Sequence, residues 1–86
     1  MGKKFFAFTG TFYLDGEHVA REVLMDLAIS AGHRATKSLE AGVNVLVVGN
    51  TGRWGYTSKY REALRRHIKI VSPTEFLEIL DKEGGS

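Results

Sequence analysis

The sequence predicts an α/β fold, a four-stranded parallel sheet in the order 2-1-3-4 flanked by three helices, with elements running β-α-β-β-α-β-α. Three observations carry that prediction. Two apolar runs, Phe5-Phe6-Ala7-Phe8-Thr9-Gly10 and Asn44-Val45-Leu46-Val47-Val48-Gly49, end in glycine and precede helix-like stretches. Strand-like and helix-like segments alternate along the chain, as they do where helices cover both faces of a parallel sheet. The link Ser38 to Gly42 is too short for the crossover that parallel neighbours need, so the third strand must sit on the far side of the first. Strands one and three are then central, at the point where the winding reverses and where open α/β sheets bind ligands.

Each element has its own signal. Lys4 to Phe8 is short, aromatic-rich and closed by Thr9-Gly10, which suits a first strand. Thr11 to Gly16 reads as a loop, with Asp15 capping a helix from about Glu17 to Ala31. Ala20, Val23, Leu24, Leu27, Ala28 and Ala31 recur on it at helical spacing, and Gly32 stops it. His33 to Thr36 is a weak second strand. Val43 to Val48 is apolar throughout, as expected of a strand buried on both faces. Gly49 to Tyr56 is a glycine-punctuated loop. Thr57 or Ser58 caps a second helix over roughly Lys59 to His67, and Ile68 to Val71 is the fourth strand. Ser72-Pro73-Thr74-Glu75 has a Ser cap, Pro at the first helical position and Glu three after the cap, a strong start for a last helix to about Leu80.

The 86 residues suit one domain, 1–86, with its core over about 3–81 and a frayed tail at 82–86. The composition, 43% hydrophobic and 26% charged, is that of a soluble globular chain. Cysteine is absent, which excludes disulfides and thiolate metal sites. The longest apolar run, Val45 to Val48, cannot span a bilayer, and no signal-peptide pattern follows Lys3-Lys4. The net charge of +2 hides a division. Arg53, Lys59, Arg61, Arg65, Arg66 and Lys69 face a single acid, Glu62, while Glu75, Glu78, Asp81 and Glu83 follow with Lys82. Such a basic segment either steers toward phosphates or is a solvated helix face.

If the two glycine-ended runs are neighbouring strands, Thr9, Gly10 and Lys59 gather at one sheet edge. A hydroxyl, a backbone N–H that an anion can approach and an ammonium suit a phosphate group. A helix N-terminus adds free N–H groups, and the hydroxyls of Thr57 and Ser58 lie beside Lys59. Lysine is disfavoured at a helix N-terminus, which itself points to an anion partner. The bland alternative is that Thr9 and Gly10 only end a strand and Lys59 is solvated. Arg53 and Trp54 of the glycine loop either contact phosphate and stack on a base or, for Trp54, pack down over the second helix. Arg61, Arg65 and Arg66 are candidates for a DNA backbone track. Gly49, Gly52 and Gly55 lack the Gly-Lys-Ser/Thr of a P-loop, the three histidines lack zinc-ligand spacing, and no catalytic triad or carboxylate pair can be placed in a cleft. No catalytic residue, metal site or cofactor is therefore expected.

From about Lys3 to Leu80 the chain resembles a BRCT domain. The matching pieces are Phe8-Thr9-Gly10, Leu46-Val47-Val48-Gly49, Thr57-Ser58-Lys59 with Ala63, and Ile68-Lys69-Ile70-Val71 followed by Glu75-Phe76-Leu77. There are two departures. Ala31 stands where the family often has the first of two glycines, and Phe76 stands where many members carry tryptophan. The second departure resembles the branch found in bacterial NAD-dependent DNA ligases, the clamp-loader large subunit and DnaQ-like exonucleases. The resemblance implies a phosphate pocket in which Thr9 donates its hydroxyl, Gly10 its N–H and Lys59 its charge. It implies a non-catalytic module of a larger DNA replication or repair protein, binding DNA at a 5′ end or along the backbone and tethering its parent. The alternative is a module for a phosphopeptide or partner domain. The expected location is the bacterial cytoplasm at the nucleoid, or the nucleus in a eukaryote, with no membrane partner. The Gly84-Gly85-Ser86 end is expected to be that of an excised piece, and the oligomeric state is open.

Overall fold

A computed structural model describes residues 4–50 and 58–84. The strands are β1 (Phe5–Thr9), β2 (Phe12–Leu14), β3 (Glu17–Val19), β4 (Arg34–Thr36), β5 (Val45–Val48) and β6 (Lys69–Val71). The helices are α1 (Arg21–Ser30), α2 (Ser58–Arg65) and α3 (Pro73–Gly84). The main sheet has the order β4-β1-β5-β6 and every neighbouring pair is parallel, the predicted 2-1-3-4 arrangement. Register places Thr9 beside Val48, so the two central strands end level with each other.

Strand alternation sorts β1 onto two layers. Phe6 and Phe8 face one side with Val45 and Val47, where Leu24 and Ala28 of α1, Phe76 of α3 and Phe12 of β2 complete the larger core. Phe5 and Ala7 face the other side with Leu46, Val43 and Ala63 of α2. Phe76 stands edge-on to both Phe6 (5.0 Å, 85°) and Phe8 (5.2 Å, 86°), an arrangement that adds quadrupole attraction to burial. His33 is the buried polar member of this layer. Its Nδ1 accepts the Lys4 N–H at 3.0 Å and its ring meets Phe6 edge-on.

The segment after Gly10 corrects the sequence expectation. Instead of a loop and an Asp15-capped helix, residues 12–19 form an antiparallel hairpin that pairs Phe12 with Val19 and Leu14 with Glu17. Asp15 (φ 53°) and Gly16 (φ 81°) are both left-handed, the turn that matches the twist of two-residue hairpins and favours Asp-Gly. Asp15 is therefore a turn residue, and α1 starts at Arg21 after Ala20, whose extended backbone (φ −64°, ψ 143°) has cap geometry but no capping side chain. The apolar stripe of α1 is also narrower than its periodicity suggests. Leu24 and Ala28 are buried, while Val23, Leu27 and Ile29 are exposed. The reason is that α1 lies over β1 and β4 while α3 lies over β5 and β6, so neither helix must cover the whole face.

Both α1 and α2 end in Schellman motifs. Gly32 (φ 92°) follows α1, with Gly32 N–H donating to Ile29 C=O and His33 N–H to Ala28 C=O, both at 3.0 Å. At α2 the left-handed position is His67 (φ 59°), with Ile68 N–H donating to Ala63 C=O at 2.9 Å. The capping box of α3 forms as the sequence predicts. Glu75 N–H donates to Ser72 Oγ and Ser72 N–H to Glu75 Oε1, each at 3.1 Å. The helix then continues to Gly84, past the expected end near Leu80.

Candidate functional site

The carboxyl ends of β1 and β5 are locked together by backbone alone. Gly49 N–H donates to Thr9 C=O at 2.9 Å, and Thr11 and Asn50 exchange hydrogen bonds at 2.8 and 2.7 Å in an isolated antiparallel bridge. This crossing requires both glycines. A Cβ on Gly49 would lie 2.5 Å from Thr11 O and 2.9 Å from the Phe12 ring, and one on Gly10 (φ 90°) would lie 3.0 Å from Asn50 O. Gly10 and Gly49 thus have a packing reason for their identity besides any ligand.

By strand alternation Thr9 lies on the face of Phe5 and Ala7, the layer that α2 covers. It is only 4% exposed, so its hydroxyl presents almost no open surface. Gly10, Arg21 and Lys59 are all partly exposed around it. Lys59 occupies the first turn of α2, and its Nζ donates to Lys37 C=O at 2.6 Å. Partial burial, and secondarily the charge of Arg21, hold its pKa below the ordinary lysine value.

Arg21, which the sequence-based expectation omits, is the first residue of α1 and lines a cavity shared with Gly10. Its Nε is buried without a hydrogen-bond partner among the described residues. The signal was in the sequence, but a helix begun at Glu17 puts Arg21 a full turn inside, away from the sheet edge. Once the hairpin is formed, Arg21 stands in the first turn of α1 as Lys59 does in that of α2. Two helix N-termini therefore each carry a cation, the sign that the helix dipole disfavours.

The neighbouring charges offset this pair only in part, because Glu22 shares the first turn of α1 with Arg21 and feels its charge. Glu22 is engaged by Lys37 at 2.8 Å, and that contact is the main reason its pKa lies below the usual carboxylate value. Among the described residues neither Arg21 nor Lys59 makes an ion pair. An anion at this edge would meet Arg21 and the backbone at Gly10, which line one cavity, with Lys59 near enough to feel the charge of Arg21.

The other expected contacts divide. Ser58 is exposed at the start of α2, and Arg61 is exposed one turn on. Arg65 and Arg66 both pair with Glu62, at 3.4 and 2.9 Å, and Arg66 also donates to Leu39 C=O at 3.3 Å, so the basic face of α2 is partly neutralised. Arg53, Trp54 and Thr57 lie outside the described residues. Among the described residues no group of three His, Asp or Glu could hold a metal ion, and no helix is long and apolar enough to cross a membrane.

The family model for the BRCA1 C Terminus (BRCT) domain matches residues 10–80. No curated protein and no solved structure matches the chain.

Proposed function

The chain belongs to the BRCT family, and from that premise we propose that it is a phosphate-recognising module that tethers a DNA replication or repair protein to DNA. BRCT domains are in general non-catalytic modules that bind phosphate groups or other proteins in those processes. The observation that carries the finer reading is the pair Arg21 and Lys59, cations in the first turns of α1 and α2 that make no ion pair among the described residues. Gly10, at the end of a central strand, lines one cavity with Arg21. A phosphate monoester supplies the missing negative charge, accepts the backbone N–H groups that helix N-termini and glycine turns offer, and relieves the repulsion within the pair. Thr9 ends the same strand, and its low exposure makes it the least accessible of the expected donors. The phosphate is that of a DNA 5′ end or backbone, and Arg61 on the exposed face of α2 extends the basic surface along it.

Two duplexes that differ only in a 5′ phosphate test this. Fluorescence anisotropy at low salt should give tighter binding to the phosphorylated end, by about tenfold for one charge-assisted contact set. Lys59→Met and Arg21→Met should each erase the preference while leaving the folded spectrum intact. Equal affinity for both ends in the wild type would contradict the proposal.

A further inference from the structure

We propose that the cavity beside this edge is a nucleoside subsite, which seats the terminal nucleoside of a 5′-phosphorylated DNA strand. The proposal rests on the phosphate reading above. The cavity is an open groove of about 360 Å³ between the hairpin and the start of α1. Gly10 and Arg21 line it as well as bordering the phosphate edge, so it adjoins the position proposed for the phosphate. Its other walls combine Val19, over the buried ring of Phe12, with the exposed imidazole of His18 and the carboxylate of Glu22. An exposed aromatic ring with a carboxylate acceptor beside it offers the stacking and hydrogen bonding that a nucleobase uses.

The hairpin braces this wall. Tyr13 and His18 are directly opposed across it, with rings 5.7 Å apart and nearly perpendicular, and both are exposed. Aromatic groups held beside a cationic edge are the usual platform for an unpaired or terminal base. Two cations that make no ion pair among the described residues, Arg21 and Lys59, favour a polyanion over a singly phosphorylated peptide.

Three probes separate the possibilities by anisotropy: a duplex with a 5′-phosphorylated terminal nucleoside, the same duplex with an abasic 5′-phosphorylated residue, and a phosphoserine peptide. The wild type should bind the abasic end about 5- to 10-fold more weakly than the base-bearing end, the lower range for one stacked base. His18→Ala should weaken the base-bearing end by a similar factor and leave the abasic end unchanged. His18→Gln, which keeps a polar side chain without the ring, should behave like His18→Ala. Equal wild-type affinity for the two phosphorylated ends would overturn the subsite and leave the phosphate reading standing. Equal affinity for the same duplex without its 5′ phosphate, added as a fourth probe, would remove the phosphate reading itself and the subsite with it. Tighter binding of the phosphoserine peptide than of either duplex would overturn the nucleoside assignment.

Discussion

Ala20→Asp separates the two roles that α1 plays. Ala20 already has the extended backbone of an N-cap but has no oxygen with which to accept from the first turn. An Asp there should accept a first-turn N–H and stabilise the fold by about 1 kcal/mol, with a further ~0.3–1 kcal/mol from a negative charge at the positive helix end. For a domain of this size that corresponds to a rise in Tm of roughly 4–8 °C per kcal/mol. The same carboxylate would sit beside Arg21 in the cavity wall, where it competes with the proposed phosphate for that charge. A unit charge roughly 6 Å from a bound phosphate, at an effective dielectric of about 40, opposes binding by ~1.4 kcal/mol per phosphate charge, or about tenfold in affinity. Ala20→Ser is the control, since it caps without charge and should raise Tm with affinity nearly unchanged. The assay is thermal unfolding by circular dichroism alongside anisotropy with the 5′-phosphorylated duplex. A more stable Ala20→Asp protein that binds the duplex as tightly as the wild type would refute the placement of the phosphate at this edge. No gain in Tm for either variant would refute the capping argument.

Further expectations concern the helix ends, the core and Lys59. Gly32→Ala should cost about 1 kcal/mol in urea unfolding, because a Cβ there meets nothing within 4 Å and only the left-handed backbone resists it. His67→Gly should stabilise by a similar amount, since it relieves the same conformation at the end of α2. Phe76→Ala should cost about 3–5 kcal/mol, because it leaves a cavity between two buried phenylalanine rings. The pKa of Lys59 lies below that of a free lysine. Between its folded value and 10.5 the unfolded chain therefore holds a proton that the folded chain has lost, and stability rises with pH across that window. Lys59→Met should remove that component of the rise. Bound phosphate should move the Lys59 Nζ titration upward in an NMR pH series, and an unmoved titration would speak against direct contact.

What the sequence disclosed depended on how local the signal was. The glycine-ended runs at Phe5–Gly10 and Asn44–Gly49 disclosed the two central strands, because burial on both faces demands continuous apolar residues. The short link at Ser38–Gly42 then settled the strand order by chain length alone. Ser72-Pro73-Thr74-Glu75 was legible because a capping box closes within four residues. The hairpin was missed although Asp15-Gly16 with Phe12, Leu14 and Val19 around it carries the hairpin pattern. Asp is both a good cap and a good turn residue, and the long helical periodicity behind it favoured the cap. That one choice displaced the start of α1 and concealed Arg21, which reaches the candidate site only because the hairpin returns the chain to the sheet edge. Lys59 was legible as a cation at a helix start, but its contact with the Lys37 carbonyl joins distant segments and left no local trace. The packing role of Gly10 and Gly49 was hidden for the same reason, since it arises where two separate backbones cross.

The central claim is that a phosphate binds between the first turns of α1 and α2. A titration of the ¹⁵N-labelled protein with a 5′-phosphorylated duplex at low salt, followed by backbone amide shifts, tests it most directly. The largest shifts should fall on Gly10, Thr11, Arg21 and Lys59, and the unphosphorylated duplex should leave them smaller. A spectrum unchanged by the phosphorylated duplex, or shifts confined to the acidic helix α3, would contradict it.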